Sequence, residues 1–309
     1  MRYVMDLHFH SWYSDGKLMP AEMVTSAKRD NGDVSCLAMS DHNTYAGCQE
    51  FLDGCKSNGI EGFVSAEISG SHPDNPTEFH FLTSFGSTWD DRAAERANRF
   101  APHFNRLSRV DIQNIFLFLE AAAQLDTRIA YRDVARKSVE WFHSLPEPKS
   151  QALIQPTAFR HLRELLRETG LEEGTSGGRT GLEKQVWQQA GVRPEPTPPI
   201  TDAYAIFRQT RPAVILAHPM LYGVTPEQLA PLVCEWQNEI GLIGLEAHYR
   251  GSLYPEWKAL ADELGLLIGA GSDNHGPGYT GQDGGSRVPV IEDGQADVPA
   301  LLDALRAAG

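Results

Sequence analysis

Short apolar runs recur along the chain, separated by stretches with helical periodicity. Seven runs of strand length, bounded by Gly, Pro, Asp, Asn or Ser, lie near Tyr3 to His8, Cys36 to Ser40, Gly62 to Glu67, Glu78 to Thr83, Ala213 to Ala217, Leu242 to Ala247 and Leu266 to Ala270. Between most of them the spacing predicts helices: Pro20 to Asp30, opened by a proline, Tyr45 to Asn58, stopped at Gly59, Glu227 to Ile240, and Tyr254 to Leu264. This alternation predicts an α/β domain built of parallel βα units.

The alternation fails between Gly86 and Arg211. Charged amphipathic stretches take over there, at Asp90 to Phe104, Asp111 to Leu125, Arg132 to His143 and Thr157 to Glu168. A Gly-rich turn at Gly174 to Gly181 and the Pro-rich Arg193 to Pro199 then lead back to a strand. The chain therefore divides into a discontinuous α/β domain, residues 1–87 and 211–309, and a mainly helical insertion, residues 88–210. Aromatic residues of the insertion, among them Phe104, Phe116, Phe118, Tyr131, Trp141, Phe142 and Phe159, are enough for a core of its own or for stacking a base.

Composition narrows the partners. At 309 residues and 41% hydrophobic the chain suffices for one large domain and an insertion. A formal charge of -14, from 41 acidic and 27 basic residues, with no Lys or Arg run to track a phosphate backbone, points away from nucleic-acid polymers and towards small substrates. Four cysteines without a CxxC pair fit a reducing cytoplasm. Met1 to Met5 leaves no room for a secretory apolar region before Asp6, and no run approaches the roughly 18 apolar residues of a membrane span.

Candidate chemistry sits where these runs end. On a strand, Asp6, His8 and His10 share one face, opposite Leu7 and Phe9, so two imidazoles form a clamp. The other runs end near Asp41 and His42, Glu67, His80, His218, Glu246 and His248, and Asp273 and His275. Loops after parallel strands open on one side, so one rim would collect all of these groups. Six of the 11 histidines, His8, His10, His42, His80, His218 and His275, fall at expected strand ends, a clustering that isolated capping or packing histidines would not produce.

Asp6-Leu7-His8-Phe9-His10 with Ser14-Asp15-Gly16, then Ser40-Asp41-His42-Asn43, Glu67, Ala217-His218-Pro219 and Gly271-Ser272-Asp273-Asn274-His275, resemble the motifs of the PHP (polymerase and histidinol phosphatase) domain family in order, spacing and strand context. The resemblance spans about residues 1–87 and 211–290 and is greatest to stand-alone phosphoesterases with a helical insertion, a group that includes nucleotide phosphatases and cyclic sugar-phosphate phosphodiesterases. It implies a distorted (β/α)7 barrel binding two to three divalent ions of manganese, zinc or iron. His8, His10, Glu67 and Asp273 would hold one ion, Glu67 would bridge to a second held by His80 and His218, and Asp15, His42 and His275 would hold a third. Some members carry His where Asp15 stands. The helix-opening segment expected over such a site is most nearly matched by Gln155 to His161, with Thr157 where a histidine is expected, so Thr157 and His161 become candidate substrate contacts.

Mixed imidazole and carboxylate donors without a thiolate independently suit these metals. Paired ions about 3.5 to 4 Å apart would generate a bridging hydroxide and neutralise phosphoryl oxygens, so hydrolysis of a small phosphorylated metabolite is the expected reaction. His218, His42 and His248 are candidate proton donors to the leaving group. Asp6 and Asp41 are expected to hold metal-binding imidazoles through their second nitrogens. Arg250 and Arg287, the latter after the glycine-rich segment Gly276 to Gly285, are candidate phosphate contacts. Two alternatives remain: an amidohydrolase or deaminase, whose bridging ligand is commonly a carboxylated lysine rather than a residue such as Glu67, and a DNA-associated or non-catalytic PHP module, which the acidic charge opposes.

Overall fold

The computed structural model describes residues 2–125, 188, 190–191, 193–276, 288–292 and 294–309. In chain order its strands are β1 (Arg2–Phe9), β2 (Cys36–Met39), β3 (Glu61–His72), β4 (Asn75–Ser84), β5 (Ala213–Leu216), β6 (Leu242–Tyr249), β7 (Ser252–Leu253), β8 (Leu267–Gly271) and β9 (Val290–Glu292). The helices are α1 (Pro20–Asp30), α2 (Cys48–Asn58), α3 (Asp91–Asn98), α4 (Ala101–Leu125), α5 (Tyr204–Thr210), α6 (Pro226–Glu239), α7 (Pro255–Leu264) and α8 (Val298–Ala307). All seven expected strands are present, with β7 and β9 as short additions.

The strands pair in the order β7-β6-β5-β4-β3-β2-β1-β9, with β8 also on β6. The ring closes only at its upper rim, the C-terminal end of the parallel strands. There the Asp273 amide donates to His8 O at 2.7 Å and the His10 amide to Asn274 O at 2.8 Å. Lower down, Arg2 to Val4 pair with antiparallel β9 instead. The result is an incompletely closed barrel.

One expectation needs correcting. The pattern predicts parallel units throughout, yet β4 runs antiparallel to both β3 and β5. The physical reason is length: a parallel crossover needs a dozen or more residues, and only the two residues between His72 and Asn75 separate β3 from β4. His80 therefore reaches the upper rim from the middle of its strand, opposite Ser69.

Period-two alternation on β4 fixes which way His80 faces. Phe79 and Phe81 are fully buried and pack edge-on to Trp236 of α6, with ring centroids 5.0 Å apart in both pairs. Burying each phenylalanine contributes about 2 to 3 kcal/mol, so a one-residue slip that exposed them is excluded and His80 with Leu82 must face inwards. Inside, Met5, Leu7, Ala38, Phe63, Leu82 and Ile215 form the core, and Val298, Leu301 and Leu305 of α8 complete the cluster.

Two compact units emerge, Met1–His103 with Pro199–Gly309, and Phe104–Pro198. The second is shorter than the expected insertion because α3 and α5 belong with the barrel. Arg96 of α3 donates to the carbonyls of Thr210, Arg211 and Ala308, and its guanidinium lies 4.7 Å from the Phe85 ring centroid. Of the second unit, α4 is one continuous helix as far as Leu125, where the pattern predicts two. The expected helices at Arg132 to His143 and Thr157 to Glu168 lie outside the described residues. So do Thr157, His161, Arg287 and the glycine-rich segment beyond Gly276. No helix among the described residues is long and apolar enough to cross a membrane.

The cysteines give a test of this packing. Cys36, Cys48 and Cys55 are buried and their thiols are pushed up by burial, Cys55 to about 12, whereas Cys234 is partly exposed. Native protein at pH 8 should react with a thiol reagent at one site per chain and unfolded protein at four. More than one fast site in the native protein would contradict the packing.

Candidate metal centre

Glu67 occupies the middle of the upper rim. Its Oε1 lies 2.9 Å from His80 Nδ1, 2.9 Å from His218 Nε2 and 3.3 Å from His8 Nε2. Its Oε2 lies 3.0 Å from His42 Nδ1 and 3.4 Å from His10 Nε2. Five imidazoles from four strands, or the residues just after them, thus converge on one fully buried carboxylate. Burial alone would raise the Glu67 carboxyl, but His80, His8 and His42 hold it well below the usual carboxylate range.

The strand ends that deliver these groups are bent to do so. Four non-glycine residues at the rim, Asn43, His218, Arg250 and Asp273, have positive φ of 52°, 27°, 50° and 50°. Such conformations cost about 1 kcal/mol or more each and collect at functional sites. Asn43 shows the compensation: its amide donates to Glu67 O at 2.9 Å and its side-chain Oδ1 accepts from the Ser69 amide at 2.9 Å, extending the pairing of His42 with Glu67.

Around this centre all nine expected ligands come together. Ligand atoms within 4.8 Å of one another are offered by His8, His10 and Asp273, by His8, Glu67 and His218, by His42, Glu67 and His80, and by His10, Asp15, His42 and His275. In the last set Asp15 Oδ2 is 3.1 Å from His275 Nε2, and its Oδ1 is 3.8 Å from His42 Nε2. Asp273 Oδ1 lies 3.3 Å from His10 Nε2 and 3.7 Å from His8 Nε2.

The donor set fits divalent ions. Glu67 Oε2, Asp15 Oδ1 and His218 Nδ1 are buried without a hydrogen-bond partner, although unsatisfied polar atoms this deep are costly. Cations at these carboxylates would satisfy the two oxygens, Glu67 Oε2 and Asp15 Oδ1, that hydrogen bonding leaves open. Nitrogen and carboxylate donors in this mixture suit manganese, iron or zinc.

Protonation follows the same logic. Burial, then His275 and His42, push His10 down to about 3. Burial lowers His80, but Glu67 and then Glu78 push it up to about 10; burial is likewise outweighed at His275 by Asp15 and Asp273, to about 8, and at His8 by Glu246 and Glu67, well above the ordinary value. At neutral pH the metal-free cluster therefore carries protons that ligation must displace. Metal uptake should release protons, and affinity should rise with pH through 8 and towards 10. Calorimetric titration in buffers of different ionisation enthalpy checks this, and a heat independent of buffer would contradict it.

The carboxylates expected to hold imidazoles do something else. Asp6 accepts from the His8 amide at 3.2 Å and from Ser272 N and Oγ at 2.9 and 2.5 Å, tying β1 to the segment after β8. Burial pushes its carboxyl up to about 7 despite those bonds. Asp41 accepts from Ser11 N, Ser11 Oγ and Ser14 Oγ, each at 2.6 Å, and so shapes the loop that carries Asp15. The imidazole partner on His8 is Glu246, with both oxygens 3.1 Å from Nδ1. Glu246 Oε2 also accepts from the His218 amide at 2.7 Å.

Alternation along β6 would put Glu246 and His248 on one face. A register shift between Leu245 and His248 against β8 interrupts it, and Tyr249 reaches the cluster instead. The Tyr249 hydroxyl donates to Asp273 Oδ2 at 2.6 Å, and its ring centroid lies 5.9 Å from that of His218. His248 is buried with Nδ1 unpartnered, and no described contact joins it to the metal-binding set. Arg250 is half-exposed and donates to Asp273 Oδ2 at 2.9 Å, which places it at the rim. Two further partners escaped the sequence reading. Glu78 Oε1 lies 3.0 Å from His80 Nε2, and the Tyr222 hydroxyl accepts from the His80 amide at 2.8 Å while donating to Ala217 O at 2.9 Å. Glu78 was legible, two residues before His80 on one strand face; Tyr222, four residues after His218 in a loop, was not.

A barrel rim that gathers imidazoles and carboxylates around one glutamate is an arrangement that suits a metal-dependent hydrolase. The PHP domain model matches residues 6–141 of the chain. It is similar, at 25% identity over 293 residues covering 91% of this chain and 90% of the relative, to a 3',5'-nucleoside bisphosphate phosphatase from Chromobacterium violaceum. A second relative, a 5'-3' exoribonuclease from Haemophilus influenzae, is 45% identical over 64 residues, which is 21% of this chain and 23% of that protein. Two solved structures share the fold at 20% identity: an amidohydrolase from Chromobacterium violaceum, with TM-score 0.66 and 97% and 96% of the two chains covered, and an inferred metal-dependent phosphoesterase from Bifidobacterium adolescentis, with TM-score 0.65 and 98% and 96% covered. The PHP match and the full-length relative support a hydrolase.

Proposed function

We propose that the protein hydrolyses a small phosphorylated metabolite, a nucleotide or nucleoside bisphosphate before a sugar phosphate, at a centre of two to three manganese, iron or zinc ions. The observation that carries this reading is Glu67, a buried carboxylate within 3.4 Å of five imidazoles and with one oxygen lacking a hydrogen-bond donor. Bound divalent ions supply a water nucleophile at neutral pH and positive charge for the phosphoryl oxygens.

The chain's own groups supply orientation. His8, His10, Glu67 and Asp273 would hold one ion, Glu67, His80 and His218 a second, and Asp15, His42 and His275 a third. Glu246 fixes the His8 ring so that Nε2 faces inwards. His42 and His218 both adjoin Glu67 and, while they hold ions, have no proton to give through the ligating nitrogen, whereas His248 has no described contact there. Arg250, with one nitrogen on Asp273, retains donors for a phosphate oxygen.

The preference for a nucleoside bisphosphate follows the full-length relative. The 64-residue similarity to an exoribonuclease supports a second reading, removal of nucleotides from a 5' end. A phosphate-release screen separates them, using metal-free and metal-reconstituted protein with nucleoside 3',5'-bisphosphates, nucleoside monophosphates, sugar phosphates and a 5'-phosphorylated oligoribonucleotide. Release from the bisphosphate, lost with a chelator and restored by metal, is expected. Mononucleotides from the oligomer would favour the second reading, and no hydrolysis of any ester would overturn both.

A further inference from the structure

We propose that Tyr249, with Arg250, is a positioning residue that commits one oxygen of Asp273 and so leaves only the other to face the metal site. This rests on the reading of Asp273 as an ion ligand. Tyr249 is 3% exposed, and its hydroxyl donates to Asp273 Oδ2 at 2.6 Å, as short as a charge-assisted bond becomes. Arg250 Nη2 donates to the same oxygen at 2.9 Å, and its guanidinium carbon lies 5.1 Å from the Tyr249 ring centroid. Two donors thus occupy Oδ2. Oδ1, turned the other way, faces His8 Nε2, His10 Nε2 and His275 Nδ1 at 3.7, 3.3 and 3.7 Å.

The backbone is shaped to make this possible. Arg250 and Gly251, φ 50° and 79°, form the two-residue turn between β6 and β7, and the Tyr249–Ser252 pair closes it. Positive φ at both central positions gives the tight hairpin whose twist suits paired strands. That turn brings Tyr249 and Arg250 onto one carboxylate. Asp273 is itself in the left-handed region, so its side chain has no regular strand to orient it and depends on these donors.

Holding a carboxylate by its non-ligating oxygen removes the alternative in which both oxygens swing onto one ion. Groups of this kind are typically worth ~10–100-fold in metal affinity. Tyr249→Phe removes the donor and keeps the ring. Titrated with Mn2+ or Zn2+ by calorimetry, it should bind the tightest ion ~10–100-fold more weakly than wild type. The melting temperature of its metal-free form should stay close to wild type, and excess metal should restore turnover.

In an Asp273→Asn background the same substitution should change metal affinity no further. Arg250→Ala, at the half-exposed rim, removes the other donor without touching the core and should weaken metal binding in the same way but less. It serves also if Tyr249→Phe does not fold. Wild-type affinity in both variants, or an equal loss with and without Asp273, would overturn the proposal. Because the readout is metal binding, weakened binding in a protein that hydrolyses no ester would leave the positioning role standing while the function fails.

Discussion

Glu67→Ala should abolish both metal binding and hydrolysis. Side chains that merely orient a ligand are worth ~10–100-fold in affinity or activity. Glu67 touches every proposed set but one, so its loss should exceed that range, and a fall in kcat on the order of 10³ or more is expected. The comparison that isolates the cause is Glu67→Gln. It keeps the volume and a carbonyl oxygen but replaces a negative charge with an amide whose N–H groups would meet imidazoles.

If Glu67 bridged nothing and only accepted hydrogen bonds from protonated histidines, Glu67→Gln would retain ions and much of the rate. Elemental analysis of metal per chain, run beside phosphate release, decides between the two. Retention of two or more ions by either variant would sink the bridging role. In the metal-free protein the substitution also removes the charge that holds His80 at about 10, so the proton release on metal uptake should shrink in the same variants.

The clustering of the candidate ligands was legible because strand period and strand position are both written in the chain. His8 and His10 share a face by alternation, and His42, Glu67, His218 and Asp273 follow apolar runs whose ends must meet at one rim. His80 was legible for the opposite reason. Its strand runs backwards, but Phe79 and Phe81 pack outwards on Trp236 whichever way the strand points, and so His80 faces in.

What the chain did not reveal depends on departures from regular geometry. The register shift in β6 decides that Tyr249, and not His248, approaches Asp273, and no residue type marks its place. The parallel expectation for β4 failed although the short interval before it was in view. Asp6 and Asp41 were read as imidazole partners by proximity in sequence. The actual partner of His8 is Glu246, 238 residues away. A long-range pair of this kind appears only when the barrel closes.

Gly271→Ala should be among the most damaging single-methyl changes in the barrel. Gly271 ends β8 beside β1, where a Cβ would come within 2.2 Å of His8 Cβ and 2.1 Å of Glu246 Oε1. Its φ is not in the left-handed region, so the requirement is space and not backbone freedom. Glu246 could rotate away, but only by releasing the His8 ring and the His218 amide. His8 Cβ is tied to its backbone and could retreat only by opening the seam where Asp273 N meets His8 O. Overpacking of this kind costs typically about 1 to 3 kcal/mol. Here that cost falls on contacts which orient His8, a proposed metal ligand. The variant should melt lower by roughly 5 °C, taking about 2 to 4 °C per kcal/mol for a large domain. It should also bind metal more weakly than that loss of stability alone explains, because both halves of the His8–Glu246 pair are displaced. Thermal unfolding with and without metal checks both parts. If Gly271→Ala melts and binds metal like wild type, the close approach of β8 to β1 is wrong. If stability alone falls, the seam is structural and Glu246 is not needed to aim His8.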